Sequence, residues 1–170
     1  ALEERPWDVV TVQQASHDSG MPETYEPYGT ELLDYVRRYA PQAKIYFHMT
    51  WAYETDSTHD AFPRYHRDQQ EMYHQATEAF TAAHDLPVIP AGKVIQALRQ
   101  TPEFDYAHGG MSLNRDGFHM SWDYGRYAVA ATWFETLTGG DIRTVPFAPD
   151  CADPARIDLI RRTVHEICTK

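Results

Sequence analysis

Four segments of the chain have the residue pattern of β-strands. The β-branched run from Trp7 to Gln14 and the run from Lys44 to Trp51 are typical of buried strands. The segment LPVIPAG, residues 86–92, predicts a short third strand. The segment DIRTVPF, residues 141–147, is predicted to form an edge strand.

Apolar residues at helical spacing separate these strands. The predicted helices cover residues 30–40, Tyr65 to His84, Lys93 to Gln100, Tyr124 to Leu137, and a final stretch that begins after Asp153-Pro154 and ends near Cys168. In the fourth helix we expect the core face to hold Tyr127, Val129, Phe134 and Leu137.

The order of these elements predicts an α/β fold with a parallel sheet and helices on both faces, a three-layer α/β/α sandwich in a single domain. In open sheets of this kind, ligands bind beyond the carboxyl ends of the strands. The loops after Gln14, Trp51 and Pro90 should therefore form one functional rim.

Composition narrows the possible partners and locations. The 170 residues carry a formal net charge of −10 and no basic stripe, which argues against nucleic-acid binding. No apolar run is long enough for a membrane span, and the opening ALEERPWDVV is not a signal peptide, so the chain reads as starting in mid-domain. Cys151 and Cys168 could form one disulfide or remain two free thiols, which leaves the compartment undecided, with the cytoplasm slightly favoured over secretion.

The segment NRDGFHMS, residues 114–121, contains the most informative chemistry. An aspartate three residues before a histidine, Asp116 and His119, lets the carboxylate hold one imidazole nitrogen while the other accepts a proton from a nucleophile. The D-x-x-H spacing is common by itself. Its position just before the last long helix of a parallel α/β unit favours the catalytic interpretation.

A second informative segment follows the first strand. In DVVTVQQASHD, residues 8–18, the strand ends in small and polar residues, which could direct side-chain donors and backbone N–H groups at a developing oxyanion. Alternatively, Ser16 and Asp18 serve only as local turn or cap hydrogen-bonding groups.

Together these segments resemble the SGNH/GDSL hydrolases, and the similarity to a bacterial branch of that superfamily spans about Trp7 to Gly139. The resemblance implies a flavodoxin-like sheet and an Asp116–His119 pair that acts with a serine nucleophile. The family's G-x-N-D block falls on Ala15-Ser16-His17-Asp18, so the oxyanion role passes to His17 or to the neighbouring Gln14.

The family's nucleophile turn has no counterpart in this chain. Among the serines only Ser19 is a weak candidate for a replacement. We therefore expect the chain to be the C-terminal two thirds of the domain, without its first strand. The strand Val9 to Gln13 would then need a complementing N-terminal segment of roughly 40–80 residues, or a second copy of the chain.

The resulting hypothesis is a serine-dependent esterase that removes acyl groups, such as acetyl, from carbohydrate-type substrates. Rim aromatics that include Trp51 and Trp122 suit stacking on sugars, although they could simply cover the sheet edge. His66 with His74, or His48 with His59, lack metal-binding spacing, and no metal or cofactor is expected. The alternatives are an inactive glycan-binding module and a structural fragment that folds only with a missing piece.

Overall fold

The structure is a computed structural model, and it describes residues 2–60, 69–150 and 152–170. Three strands and five α-helices make up its regular structure in the described residues. They are β1 (Val9–Val12), α1 (Tyr28–Tyr39), β2 (Lys44–His48), α2 (Gln69–His84), β3 (Val88–Ile89), α3 (Ala91–Arg99), α4 (Tyr124–Thr138) and α5 (Pro154–Cys168).

The sheet is parallel, with the strand order β1-β2-β3. Val10 pairs with Ile45, and Phe47 pairs with Val88. The predicted α/β fold with a parallel sheet is thus confirmed. Within the described residues, β1 has β2 as its only neighbour, so the other edge of β1 is open.

Side chains of β2 alternate between two helical layers. Ile45 and Phe47 join a core cluster with residues of α1 and α2. On the other side, His48 accepts a hydrogen bond from Trp133 of α4. Helices therefore contact both faces of β2. A larger core cluster lies among α3, α4 and α5 and includes Val94, Leu98, Leu113, Ala128, Ile157 and Ile160.

The predicted edge strand over residues 141–147 is wrong. The structure has a 3₁₀ turn at Ile142–Thr144, in which the Asp141 side chain accepts the backbone N–H of Arg143. This local hydrogen bond favours the turn. An edge strand would have paired Phe147 with a neighbouring strand, but the side chain of Phe147 is 68% exposed.

The predicted core face of α4 is partly wrong. Tyr127 is buried, but Phe134 is 37% exposed. Tyr124, Ala128, Ala131 and Glu135 instead lie on the buried face of the helix. The helix is apolar on nearly every side, so spacing alone does not determine which stripe is buried.

The strands are shorter than predicted, whereas the helices begin and end within a few residues of the expected positions. The predicted start of the second helix, with Tyr65 and His66, and also Cys151 lie outside the described residues. Among the helices described, none has the length and apolar character that crossing a membrane requires.

Candidate active site

The loop that carries Asp116 and His119 is a tight hairpin. Asn114 and Met120 form an isolated antiparallel bridge. Inside it, the backbone N–H of Arg115 donates to the carbonyl of His119 at 2.9 Å. Gly117 makes the turn with a φ of 84°, in the left-handed region that glycine adopts without strain. The hairpin folds the chain back so that the side chains of Asp116 and His119 lie together.

Asp116 holds the imidazole of His119 from one side. Nδ1 of His119 lies 2.8 Å from Oδ2 of Asp116, so the hydrogen bond expected from the sequence is confirmed. Oδ1 of Asp116 accepts the backbone N–H groups of His119 at 2.8 Å and of Phe118 at 3.3 Å. Burial alone would raise the pKa of Asp116, but the hydrogen bonds from His119 and Phe118 lower it to about 2. The carboxylate is therefore ionised at neutral pH and keeps the Nδ1 proton in place.

Two hydrogen bonds fasten this hairpin to the loop that follows β2. The indole Nε1 of Trp51 donates to the carbonyl of Phe118 at 2.7 Å. The backbone N–H of Glu54 donates to the carbonyl of Gly117 at 2.6 Å. The hairpin is thus joined to the loop after β2, one of the three loops predicted to form the rim, whereas α3 begins directly after Pro90.

A buried charged group braces the same hairpin from α3. The guanidinium of Arg99 donates to Oδ1 of Asn114 at 2.6 Å and to the carbonyl of Ala52 at 2.9 Å. Its Nε lies 3.4 Å from Oε2 of Glu54, as an ion pair and not as a hydrogen bond. Buried charges of this kind are tolerated only when they are paired. No motif or spacing in the sequence predicts this network.

An apolar pocket of about 560 Å³ opens beside His119. The side chain of His119 is 54% exposed. Its Nε2 has no hydrogen-bond partner among the described residues, so it can exchange a proton with a bound molecule. Besides His119, the pocket is lined by Trp51, Arg115, Met120, Arg126, Val129, Ala130 and Trp133.

The loop after β1 reaches the hairpin through Tyr53. The hydroxyl of Tyr53 lies 3.1 Å from Oγ of Ser16, and its ring lies 5.5 Å from that of Phe118. The ring of Phe118 in turn lies 4.1 Å from that of His119. His17, in the same loop, is exposed, and its Nε2 lies 3.3 Å from Oδ2 of Asp18.

Gln14 does not line the pocket that contains His119. Its Nε2 donates to the carbonyl and the hydroxyl of Thr24, and its Oε1 accepts the backbone N–H of Ala15. Gln14 lines a second cavity, of about 510 Å³, between β1 and α1. Both ends of its amide therefore stabilise the loop.

Ser19 is buried, and its hydroxyl has hydrogen-bond partners on two loops. Its hydroxyl donates to the carbonyl of Ala15 at 3.0 Å and accepts from the hydroxyl of Thr50 at 2.9 Å. These contacts tie the loop after β1 to the loop after β2. No serine lines the pocket beside His119 within the described part of the chain.

One group of side chains with metal-binding atoms was not predicted. Potential ligand atoms of Glu135, Asp141 and His165 lie within 4.8 Å of one another. They are already bonded: Glu135 Oε1 lies 2.5 Å from His165 Nδ1 and its Oε2 accepts the N–H of Ile142, while Asp141 pairs with Arg143. The group therefore joins α4 to α5 as an ion-pair network.

Comparisons with known proteins identify the relatives of the chain. Residues 1–167 match the family described as "Domain of unknown function (DUF4886)". The crystal structure of a DUF4886 family protein from Bacteroides uniformis ATCC 8492 is similar, with a TM-score of 0.88 and 29% sequence identity. The match covers 99% of this chain and 64% of that one, so this chain spans less than two thirds of the length of the solved protein. No curated protein matches the sequence.

Proposed function

We propose that this chain, which belongs to the DUF4886 family of domains of unknown function, carries the acid–base half of an ester hydrolase. One observation carries the proposal: the imidazole of His119 is held by Asp116 at 2.8 Å and lines an apolar pocket with its other nitrogen free. An oriented histidine beside a pocket is the arrangement that activates a nucleophile in acyl transfer.

In the proposed reaction a serine hydroxyl attacks the ester carbonyl while Nε2 of His119 takes the hydroxyl proton. His119 then gives this proton to the departing alcohol as the tetrahedral intermediate collapses to an acyl-enzyme. A water molecule, deprotonated by the same nitrogen, then attacks the acyl carbon. The serine oxygen leaves with the proton that His119 returns to it, and the acid is released. Asp116 stabilises the imidazolium that exists between these transfers, since its carboxylate stays ionised.

We assign the oxyanion contact to the loop after β1, with His17 as the side-chain donor in preference to Gln14. Both ends of the Gln14 amide are already bonded within the loop. His17 is exposed, and only its Nε2 is close to a carboxylate, that of Asp18, so its other ring nitrogen is available. Its loop contacts the hairpin of His119 through Tyr53.

The serine, in this proposal, comes from a segment that pairs with the open edge of β1. Two residues of α1, Tyr28 and Leu32, line a cavity with Val12 of β1. They belong to a set of exposed apolar side chains at helical spacing on α1, namely Tyr28, Leu32 and Tyr35. An open edge next to an apolar stripe is a surface that another strand and helix would cover. The sheet would then be part of a larger, flavodoxin-like three-layer sandwich, as in the SGNH/GDSL hydrolases that the sequence resembles.

The test is hydrolysis of 4-nitrophenyl acetate by the full-length protein and its His119→Ala variant. Loss of the proton relay should lower kcat by about 10³-fold or more. His108→Ala is the matched control, because His108 forms an equivalent 2.7 Å contact with Asp105 away from the pocket. Equal turnover by wild type and His119→Ala would remove the proposed mechanism.

A second candidate function is ligand binding without turnover. The observation that favours it is that the described serines lie outside the pocket of His119. Sugar rings would then stack on Trp51 and Trp133, which line that pocket. Glycan binding by a full-length protein that releases no acyl group would favour this function over hydrolysis.

A further inference from the structure

The pocket beside His119 has positive charge at its rim. Arg115 and Arg126 both line it, against walls that are mostly apolar. The indole of Trp122, which is 64% exposed, lies beneath both guanidinium groups. Cζ of Arg126 is 3.6 Å, and Cζ of Arg115 is 4.8 Å, from the centroid of the indole ring. The chain as a whole has a net charge of −10, so the positive charge of these two arginines at the pocket entrance is a local exception.

Arg126 has no carboxylate partner among the described residues; its guanidinium stacks on Trp122. Arg115 is partly compensated, with its Nε 3.6 Å from Oδ2 of Asp116. Five other arginines form ion pairs with nearby carboxylates, namely Arg37, Arg99, Arg143, Arg156 and Arg161. Arg5, Arg38 and Arg162 have no carboxylate partner among the described residues, but they do not line this pocket. The uncompensated guanidinium of Arg126 therefore stands where a ligand would enter the pocket.

We propose that Arg126, assisted by Arg115, binds a carboxylate that the substrate carries on a ring. The stack on Trp122 fixes the plane of the guanidinium and leaves its N–H groups free, so less entropy is lost when a carboxylate binds. A planar guanidinium matches a carboxylate with two parallel hydrogen bonds. The ring itself packs against the apolar walls formed by Trp51, Val129 and Trp133.

That the ring acid is part of a substrate rests on the proposed ester hydrolysis. That the pocket binds a ring acid does not depend on hydrolysis. Two kinds of ring acid share the required chemistry, an aromatic acid and a sugar acid. In either case a neutral analogue of the same shape would leave Arg126 without its partner and bind more weakly.

The experiment measures tryptophan fluorescence of the full-length protein during titration, because three tryptophans lie in or beside the pocket. One pair of probes is benzoate and its uncharged amide, benzamide, and the other is D-glucuronate and D-glucose. Each pair is titrated into wild type, Arg126→Gln and Arg126→Lys. Arg38→Gln is the matched control, because Arg38 is an exposed arginine over another aromatic ring, that of Tyr39.

For at least one pair, the acid should bind wild type about tenfold more tightly than the neutral analogue. Arg126→Gln should remove that preference, Arg126→Lys should keep part of it, and Arg38→Gln should leave it unchanged. The preference should also weaken as salt is raised. Equal binding of acid and neutral analogue in both pairs, or an acid preference that survives Arg126→Gln, would overturn the proposal. If the acid binds as expected but no ester is cleaved, ester hydrolysis fails and the anion site stands.

Discussion

At the scale of single residues, the D-x-x-H spacing occurs three times, at Asp56/His59, Asp105/His108 and Asp116/His119, and does not identify a catalytic pair by itself. Asp105 and His108 have the same spacing as Asp116 and His119 and form the same contact between Nδ1 and a carboxylate oxygen. His108 is 82% exposed and lines no pocket with His119. The sequence could predict the hydrogen bond from the spacing. It could not predict the pocket, whose walls come from residues up to 82 positions apart (Trp51 and Trp133).

Replacement of Asp116 tests whether its charge supports His119. In Asp116→Asn the amide can still contact Nδ1, but it cannot stabilise an imidazolium. We expect kcat for aryl-ester hydrolysis to fall by about 10²–10⁴-fold with little change in KM. Asp105→Asn, at the equivalent exposed pair, should leave kcat unchanged. A loss of the same size in both variants would mean that the effect is not specific to the site.

The ionisation of Asp116 also has a consequence for pH dependence. Its pKa is lowered to about 2 from an ordinary value of 3.8, so its favourable interactions are present above pH 3.8 and are lost as the pH falls through 2. Titration of Asp116 should therefore cause no change in kcat between pH 5 and 8. Any step that the pH profile of hydrolysis shows in that range should still be present in Asp116→Asn.

Gly117 should be required for both space and backbone conformation. A Cβ at Gly117 would lie 2.7 Å from Cα of Ser57, and the φ of 84° is unfavourable for other residues. Gly109 has a φ of 96° and open space within 4 Å of where a Cβ would lie, so Gly109→Ala reports the conformational cost alone, about 1–2 kcal/mol. Gly117→Ala should cost more in the free energy of unfolding, measured with urea. Equal costs would mean that the hairpin can move away from Ser57.

At the scale of elements, helix positions could be predicted because their apolar spacing is long and regular, as in α1, α3 and α5. The strands were predicted too long, since apolar residues that follow a strand, such as Met49, are also buried. The network of Arg99, Glu54 and Asn114 could not be predicted, because its members lie on three separate segments. These residues hold the hairpin, so the sequence predicted the contact between Asp116 and His119 but not the residues that support it.

The contact between β2 and α4 should make stability depend on pH. Burial lowers the pKa of His48 to about 4 from an ordinary value of 6.5, and its Nδ1 accepts the Trp133 indole N–H at 3.0 Å. The stability from neutral His48 is fully present above pH 6.5 and is lost as the pH falls towards 4. By pH 5 the wild type should lose about 2 kcal/mol of unfolding free energy through this residue.

Urea unfolding at pH 7.5 and pH 5 measures this loss. His48→Gln keeps an acceptor for Trp133 but does not titrate, so its stability should change less over the same range. His17→Gln, at an exposed histidine, should behave as wild type. An identical pH dependence in wild type and His48→Gln would show that His48 does not titrate as a buried group.

At the scale of the whole molecule, the open edge of β1 and the stripe on α1 should be covered in the full-length protein. Leu32 is 46% exposed and Tyr35 is 53% exposed in these 170 residues. If another segment packs there, Leu32→Lys should lower the unfolding free energy of the full-length protein by about 1.5–3 kcal/mol. Glu31→Lys, at a polar position on the same helix, is the control and should change it by less than about 0.5 kcal/mol. A Leu32→Lys effect as small as that of the control would mean that the stripe faces solvent.

The central claim is that His119 activates a serine for attack on an ester. Its most direct test is covalent labelling of the full-length protein with a fluorophosphonate, which reacts with activated serines, followed by mass-spectrometric mapping of the labelled peptide. We predict a single labelled serine in the wild type and in His108→Ala, and no label in His119→Ala. A folded wild type that takes no label, or a label that persists in His119→Ala, would contradict the claim.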